Sequence, residues 1–263
     1  MFELLIVPFL AGFLITAVLA LAGNGLLLRG STWQALALSQ WAAVGGVLAS
    51  VLVWPAWPVS LALGAAVLGL LKRGSDRERM PLGVFLVGLA AVTLLATNHP
   101  RASLAAARWA EGQLYFAASG DLVAIAGVAV AALAMRAVLK RVWLHAQTHP
   151  DVPANQAPGT FQHGCELGWL VATIVLGTLT LGVPAALATL LFPAWTAAGF
   201  ASDLKGLLYW TQVLALSGFV GAWLLALALD QPFAPVLVLV NLLVAVCVRW
   251  VGALHGARFH NPN

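Results

Sequence analysis

The sequence predicts an all-α polytopic transmembrane bundle of about eight to nine helices, on three observations. First, 62% of the 263 residues are hydrophobic and only 8% are charged, whereas a soluble domain carries roughly a quarter charged residues. Second, the apolar residues fall into long runs broken by short stretches of glycine, proline or charge, and about 20 such residues span the hydrocarbon layer. Third, the runs show no strand-like alternation and are too long for barrel strands. One transmembrane domain, 1–263, is expected. The net charge of +4 is spread between apolar runs, so a nucleic-acid partner is not indicated. Cys165 and Cys247 form neither a metal spacing nor a disulfide framework.

The first helix is expected from about Leu4 to Leu28, ended by Arg29-Gly30-Ser31. The N-terminal stretch lacks the basic start and small-residue cleavage site of a signal peptide, so it reads as a retained helix. The second, about Gln34 to Val53, closes at Trp54-Pro55-Ala56-Trp57-Pro58, an interfacial turn by its tryptophans. The third, about Val59 to Leu71, is short for a full span, and Lys72 to Arg79 follows as a charged break. The fourth covers about Pro81 to Thr97, with an amphipathic piece near Leu104 to Trp109 expected at the interface. The fifth covers about Asp121 to Leu139. Arg141 to Gly164 is the one long hydrophilic break, with three of the six histidines, and reads as a loop where a soluble partner docks. The sixth helix covers about Cys165 to Leu181. The seventh, Pro184 to Ala198, is short and marked by Pro193. Gly206 to Leu229 and Pro235 to Val251 complete the set.

Basic residues set the orientation. With the N-terminus outside and every segment crossing, eleven of the thirteen lysines and arginines fall on the inside and only Arg101 and Arg108 outside. That bias agrees with the positive-inside rule. It places the 141–164 loop and the C-terminus in the cytoplasm, in a multi-pass membrane protein.

Candidates for chemistry are few. Asp121, Glu166 and Asp230 lie near helix ends, where a cap, a turn or the helix dipole accounts for them better than a ligand role. His145 and His149 are four apart, but Pro150 ends any helix there, so a solvated surface is the better reading than a metal site. Asn24, Gln40, Gln212 and Asn241 are polar groups inside apolar runs. They suit either a pathway or interhelical hydrogen bonds. The sequence offers no nucleophile with an ordered histidine, no paired acids and no phosphate-binding loop. No enzyme activity and no cofactor are expected, and any ATP must be hydrolysed by another subunit.

Three motifs carry a family resemblance. Gly112 to Leu122, GQLYFAASGDL, resembles GDLLxVxxxDL. Gly182 to Ala197, GVPAALATLLFPAWTA, is similar to GALLxxxLLxxPAATA, and Asp230 to Pro235, DQPFAP, to DxPxGP. Their order and spacing look like the membrane permease subunit of metal-ion ABC importers, the zinc and manganese uptake family. The resemblance implies a homodimer or paired permease, cytoplasmic ABC ATPase subunits and an extracytoplasmic substrate-binding protein. Translocation-path candidates are Gln40, Thr189, Pro193 and Thr196, in or beside the stretches that carry the resemblance, together with Asn24 as a polar group in an apolar run. The resemblance also implies ATPase coupling through Asp151, Val152, Asn155 and Gly159. The cargo implied is a divalent ion such as zinc, manganese or iron, or a metal complex. The chain departs from the family where the latter has an aspartate and a histidine in the second helix and a histidine in the fourth: Leu36, Gln40 and Val87 stand there. An amide is a poor zinc ligand beside imidazole or thiolate. The competing expectation is a non-transporting anchor or assembly subunit derived from such a permease.

Overall fold

A computed structural model describes residues 2–73, 79–112, 114–117, 119–148 and 160–259, and the described residues form helices joined by short turns. They are α1 (Phe2–Leu28), α2 (Thr32–Leu52), α3 (Ala56–Arg73), α4 (Arg79–Asn98), α5 (Pro100–Glu111), α6 (Ser119–Ala134) and α7 (Arg136–Thr148). These are followed by α8 (Thr160–Leu181), α9 (Val183–Ala197), α10 (Leu204–Leu229) and α11 (Phe233–Phe259).

Six of these, α1, α2, α4, α8, α10 and α11, are long and apolar enough to cross a membrane, and the bent pair α6–α7 makes a seventh. That is fewer than the expected eight to nine. The difference lies in α3 and α9, which are apolar but shorter. At 1.5 Å per residue the 15 residues of α9 rise about 22 Å, less than the hydrocarbon thickness of about 30 Å.

Two further expectations are corrected. The fifth segment is not one straight helix, because α6 and α7 meet at a 64° bend. The polarity changes there. α6 is apolar after Asp121, while α7 carries Arg136, Lys140, Arg141 and His145 and buries Leu139 and Trp143. Nor is 141–164 wholly a loop, since α7 extends to Thr148 and α8 already begins at Thr160. The amphipathic piece near Trp109 is α5, and it is packed rather than merely interfacial. Ala102, Ala105 and Trp109 bury against Ala43 and Val47 of α2.

The core centres on α1 and α9. α1 packs on α6, α8, α9 and α10, and α9 is enclosed by α1, α2, α8, α10 and α11. Close approach is made by glycine. A Cβ on Gly23 of α1 would collide with the Leu190 carbonyl group of α9, and one on Gly45 of α2 would stand 2.5 Å from Cα of Ser60 in α3. An aromatic cluster of Phe9, Phe13, Phe219, Trp223 and Phe233 joins α1, α10 and α11. By contrast α4 has only 11% of its apolar window buried, so it is a peripheral, outward-facing helix.

Candidate functional site

The 22 residues of α8 rise about 33 Å, and a polar or glycine-built cluster sits at each of its ends. At its N-terminal end α1 stops at a Schellman turn. Gly30 is left-handed (φ 61°), its N–H bonds to Leu27 O at 3.1 Å and that of Ser31 bonds to Leu26 O at 3.0 Å. This is the geometry by which a glycine satisfies the last carbonyls of a helix. It fixes Arg29 at the helix terminus, where a cation suits the dipole. Arg29 there forms an ion pair with Glu166 of α8, whose side chain is wholly buried. The other carboxylate oxygen accepts from Trp143 Nε1 of α7 at 2.8 Å. The Trp143 ring reaches this point because Gly25 of α1 leaves room, a Cβ there falling 2.7 Å from Nε1. His163 completes the cluster, its Nδ1 3.6 Å from Glu166 Oε2. Burial pulls the Arg29 guanidinium down to about 10, so it stays charged at neutral pH and Glu166 neutralises it.

Glu166 was expected to be a dipole-compensating acid in a first turn. The helix starts five residues earlier than expected, so Glu166 stands in the second turn and faces inward. Sequence reasoning missed the pair because its partners lie on other elements. The available signal was an ionisable residue within an apolar helix, which calls for a named partner.

At the opposite end the three motifs Gly112–Leu122, Gly182–Ala197 and Asp230–Pro235 come together. Gly112 and Gly182 both have positive φ (84° and 86°). A Cβ on Gly182 would lie 2.9 Å from Gly112 N, and one on Gly112 would lie 3.2 Å from Ala234 Cβ. Tyr115 rings against Trp223 and Phe233. Its phenol is raised above its usual value by burial and then by the charge of Asp230. Asp230 itself is the left-handed C-cap of α10 (φ 52°, ψ 46°), as expected of a turn residue. Asp121 falls in the first turn of α6, two residues inside the helix, rather than at its cap.

Most of the polar residues expected along a pathway are hydrogen-bonded between or within helices, while Asn241 Nδ2 is buried with no hydrogen-bond partner among the described residues. Asn24 accepts from Thr211 Oγ1 at 2.9 Å and donates to Ala20 O at 3.2 Å. Gln212 Nε2 donates to Ala17 O at 2.9 Å. Both tie α10 to α1. Thr189 and Thr196 of α9 donate to Ala185 O and Phe192 O, four residues back. Pro193, between them, removes a backbone donor and frees the Thr189 carbonyl. Asn241 of α11 packs onto Gly218, where a Cβ would lie 2.6 Å from its Oδ1. The far end of α9 is held by Arg249, whose guanidinium lies 4.2 Å from the Trp195 ring centre and donates to Trp195 O at 3.2 Å.

Gln40 of α2 abuts α4, its Cγ 3.0 Å from where a Gly88 Cβ would be. Trp41 Nε1 donates to Val84 O at 2.8 Å. Beside them a groove of about 530 Å³ opens between α2, α3 and α4, lined by Trp41, Leu63, Val67, Met80 and Val87. Leu36 is half-buried and Val87 exposed. Among the described residues no three histidine, cysteine or acidic side chains gather as a metal site. Asp151, Val152, Asn155, Gly159 and His149 lie outside the described residues.

A family profile described as the ABC 3 transport family matches residues 1–252. The chain belongs to this ABC 3 transport family. It is accordingly a membrane permease subunit of an ABC importer and not an enzyme. Solved structures share the fold of this ABC 3 permease. PsaBC from Streptococcus pneumoniae, in complex with Fab, superposes with a TM-score of 0.75 at 17% identity, over 92% of this chain and 89% of that one. A protein described as a metal-chelate type ABC transporter, in an inward-facing conformation, gives 0.68 at 14% identity, over 92% and 84%. No curated protein matches the ABC 3 permease chain.

Proposed function

We propose that this chain, paired with a second permease, carries a divalent metal ion or a small metal complex inward. A separate cytoplasmic ATPase hydrolyses ATP, and an extracytoplasmic binding protein delivers the cargo. The observation that supports this most is α9, a short proline-containing apolar helix enclosed by other helices. Irregular, short segments buried in protein are how transport folds place a path at membrane depth. A structural relative being described as metal-chelate type favours a metal complex as cargo. Thr189, Pro193 and Thr196 on α9, with Asn24 and Gln40, are the proposed path residues.

In this reading the end bearing Arg29 faces the cytoplasm and the end bearing Asp230 faces outward, with the N-terminus outside and the C-terminus inside. α3 and α9 then cross as well, through a thinned or protein-filled layer, giving nine crossings in all. Residues 151–159 and the adjoining helix ends contact the ATPase. The test is uptake of radioactive zinc and manganese by proteoliposomes holding the permease and its ATPase. ATP-dependent accumulation of either ion is expected. A stable permease–ATPase complex that accumulates neither the ions nor their chelates would favour the anchor function instead.

A further inference from the structure

Among the described residues, Arg29, Trp143 and Glu166 form a buried, charged cluster. Removing two charges from water is expensive, and a buried pair is often no more stable than apolar residues of the same volume. Stability is therefore a weak reason for it. What such a cluster does supply is a directional, single arrangement among the elements it joins. Here those elements are the terminus of α1, the middle of α7 and the second turn of α8. α7 and α8 are consecutive, so the joint ties together the two helices on either side of residues 149–159. On the other side α1 is the helix that lies against α9, with the Gly23 backbone pressed on Leu190.

We propose that Arg29, Trp143 and Glu166 are positioning residues for transport, forming the joint through which the cytoplasmic arm of α7 and α8 moves α1 and, through it, α9. This rests on the importer function proposed above. The three make no contact with cargo. Glu166 holds both partners at once, one carboxylate oxygen on Arg29 and the other on the Trp143 indole. α7 cannot swing independently of α1 while that carboxylate is charged and in place. The α6–α7 bend gives the arm its lever. Gly25 makes room for the joint, because a Cβ there would stand 2.7 Å from Trp143 Nε1.

The test uses the permease copurified with its own ATPase and reconstituted in liposomes, with radioactive zinc and manganese as probes. Glu166→Gln keeps the volume and one acceptor but removes the charge. Trp143→Phe keeps the ring packing and removes the donor. Both are expected to retain the ATPase and to continue hydrolysing ATP. Ions moved per ATP should fall at least tenfold in Glu166→Gln and roughly threefold in Trp143→Phe. Placed in Trp143→Phe, where no indole donor is left unpaired, the exchanged pair Arg29→Glu with Glu166→Arg should keep at least a third of the coupling of Trp143→Phe alone, which a loss of fold would prevent. Unchanged ions per ATP in Glu166→Gln or Trp143→Phe overturns the proposal. So does a loss that tracks only lost ATPase binding. If Glu166→Gln fails to assemble, Trp143→Phe and the exchanged pair decide alone. Absence of uptake by the wild-type complex would instead refute the importer function on which the joint depends.

Discussion

Replacing Gly23 with alanine tests the packing of α1 on α9 directly. The added Cβ would lie 2.9 Å from the Leu190 carbonyl carbon and closer still to its oxygen. A carbon–carbon contact needs about 3.5 Å or more, so the helices must separate or slide. Overpacking a core costs about 1–3 kcal/mol when a side chain can yield. Here the obstacle is helix backbone, so a cost of about 3 kcal/mol is expected. Gly127→Ala in α6 is the control, since nothing lies within 4 Å of its Cβ position. Exchanging glycine for alanine in an open helix gains about 0.5–1 kcal/mol. At about 2–4 °C per kcal/mol for a chain of this length, the two variants should differ by about 10 °C in thermal unfolding of the detergent-purified protein. Gly25→Ala should fall between them, because its obstacle is the Trp143 ring rather than backbone. Equal melting of Gly23→Ala and Gly127→Ala would refute the packing described for α1 and α9.

Val53 is a left-handed C-cap (φ 58°, ψ 38°), which costs an L-residue about 1–2 kcal/mol. Val53→Gly should therefore raise the melting temperature slightly, and a fall would show the strain to be absent. In a background of Cys165→Ser and Cys247→Ser, Asp230→Cys should react with an impermeant reagent in intact cells, and Asn155→Cys should not. The opposite pattern reverses the proposed orientation. Gln40→Ala should slow uptake severalfold without changing which ion is preferred, measured by competition between zinc and manganese. A switch of preference would make Gln40 a selectivity ligand. The Tyr115 phenol is raised in the folded protein by burial and by Asp230. Its neutral form thus contributes stability that is present below the unfolded value near 10 and is lost as pH climbs above it. Melting temperature should decline more steeply above pH 10 in the wild type than in Tyr115→Phe, and parallel profiles would refute this.

The sequence by itself determined that the chain is a helical membrane protein. With so few charged residues, and apolar runs of about 20, no water-facing fold is available. It also determined where most helices stop, because the stops are chemical. Arg29-Gly30-Ser31 makes a Schellman turn, Gly182 takes a positive φ ahead of Pro184, and Asp230 caps α10 from the left-handed region. These are local effects readable within a few residues. The three motifs were legible as strings, and so was the family.

Only the tertiary structure decided which faces of the helices touch. Lipid is as apolar as leucine, so hydrophobicity does not mark the protein-facing side of a spanning helix. α1 and α4 read alike in sequence, yet one is the core and the other peripheral. The bend at Met135 was hidden because apolar length alone counted the fifth segment as one helix. Arg29 and Glu166 stand 137 positions apart, so no periodicity could join them. Glu166 looked like an acid at a helix end until α7 and α1 closed around it. The convergence of Gly112, Gly182 and Ala234 is equally invisible in the chain. Backbones that leave no room for a Cβ show only as glycine in a sequence, and the partner is named by the fold.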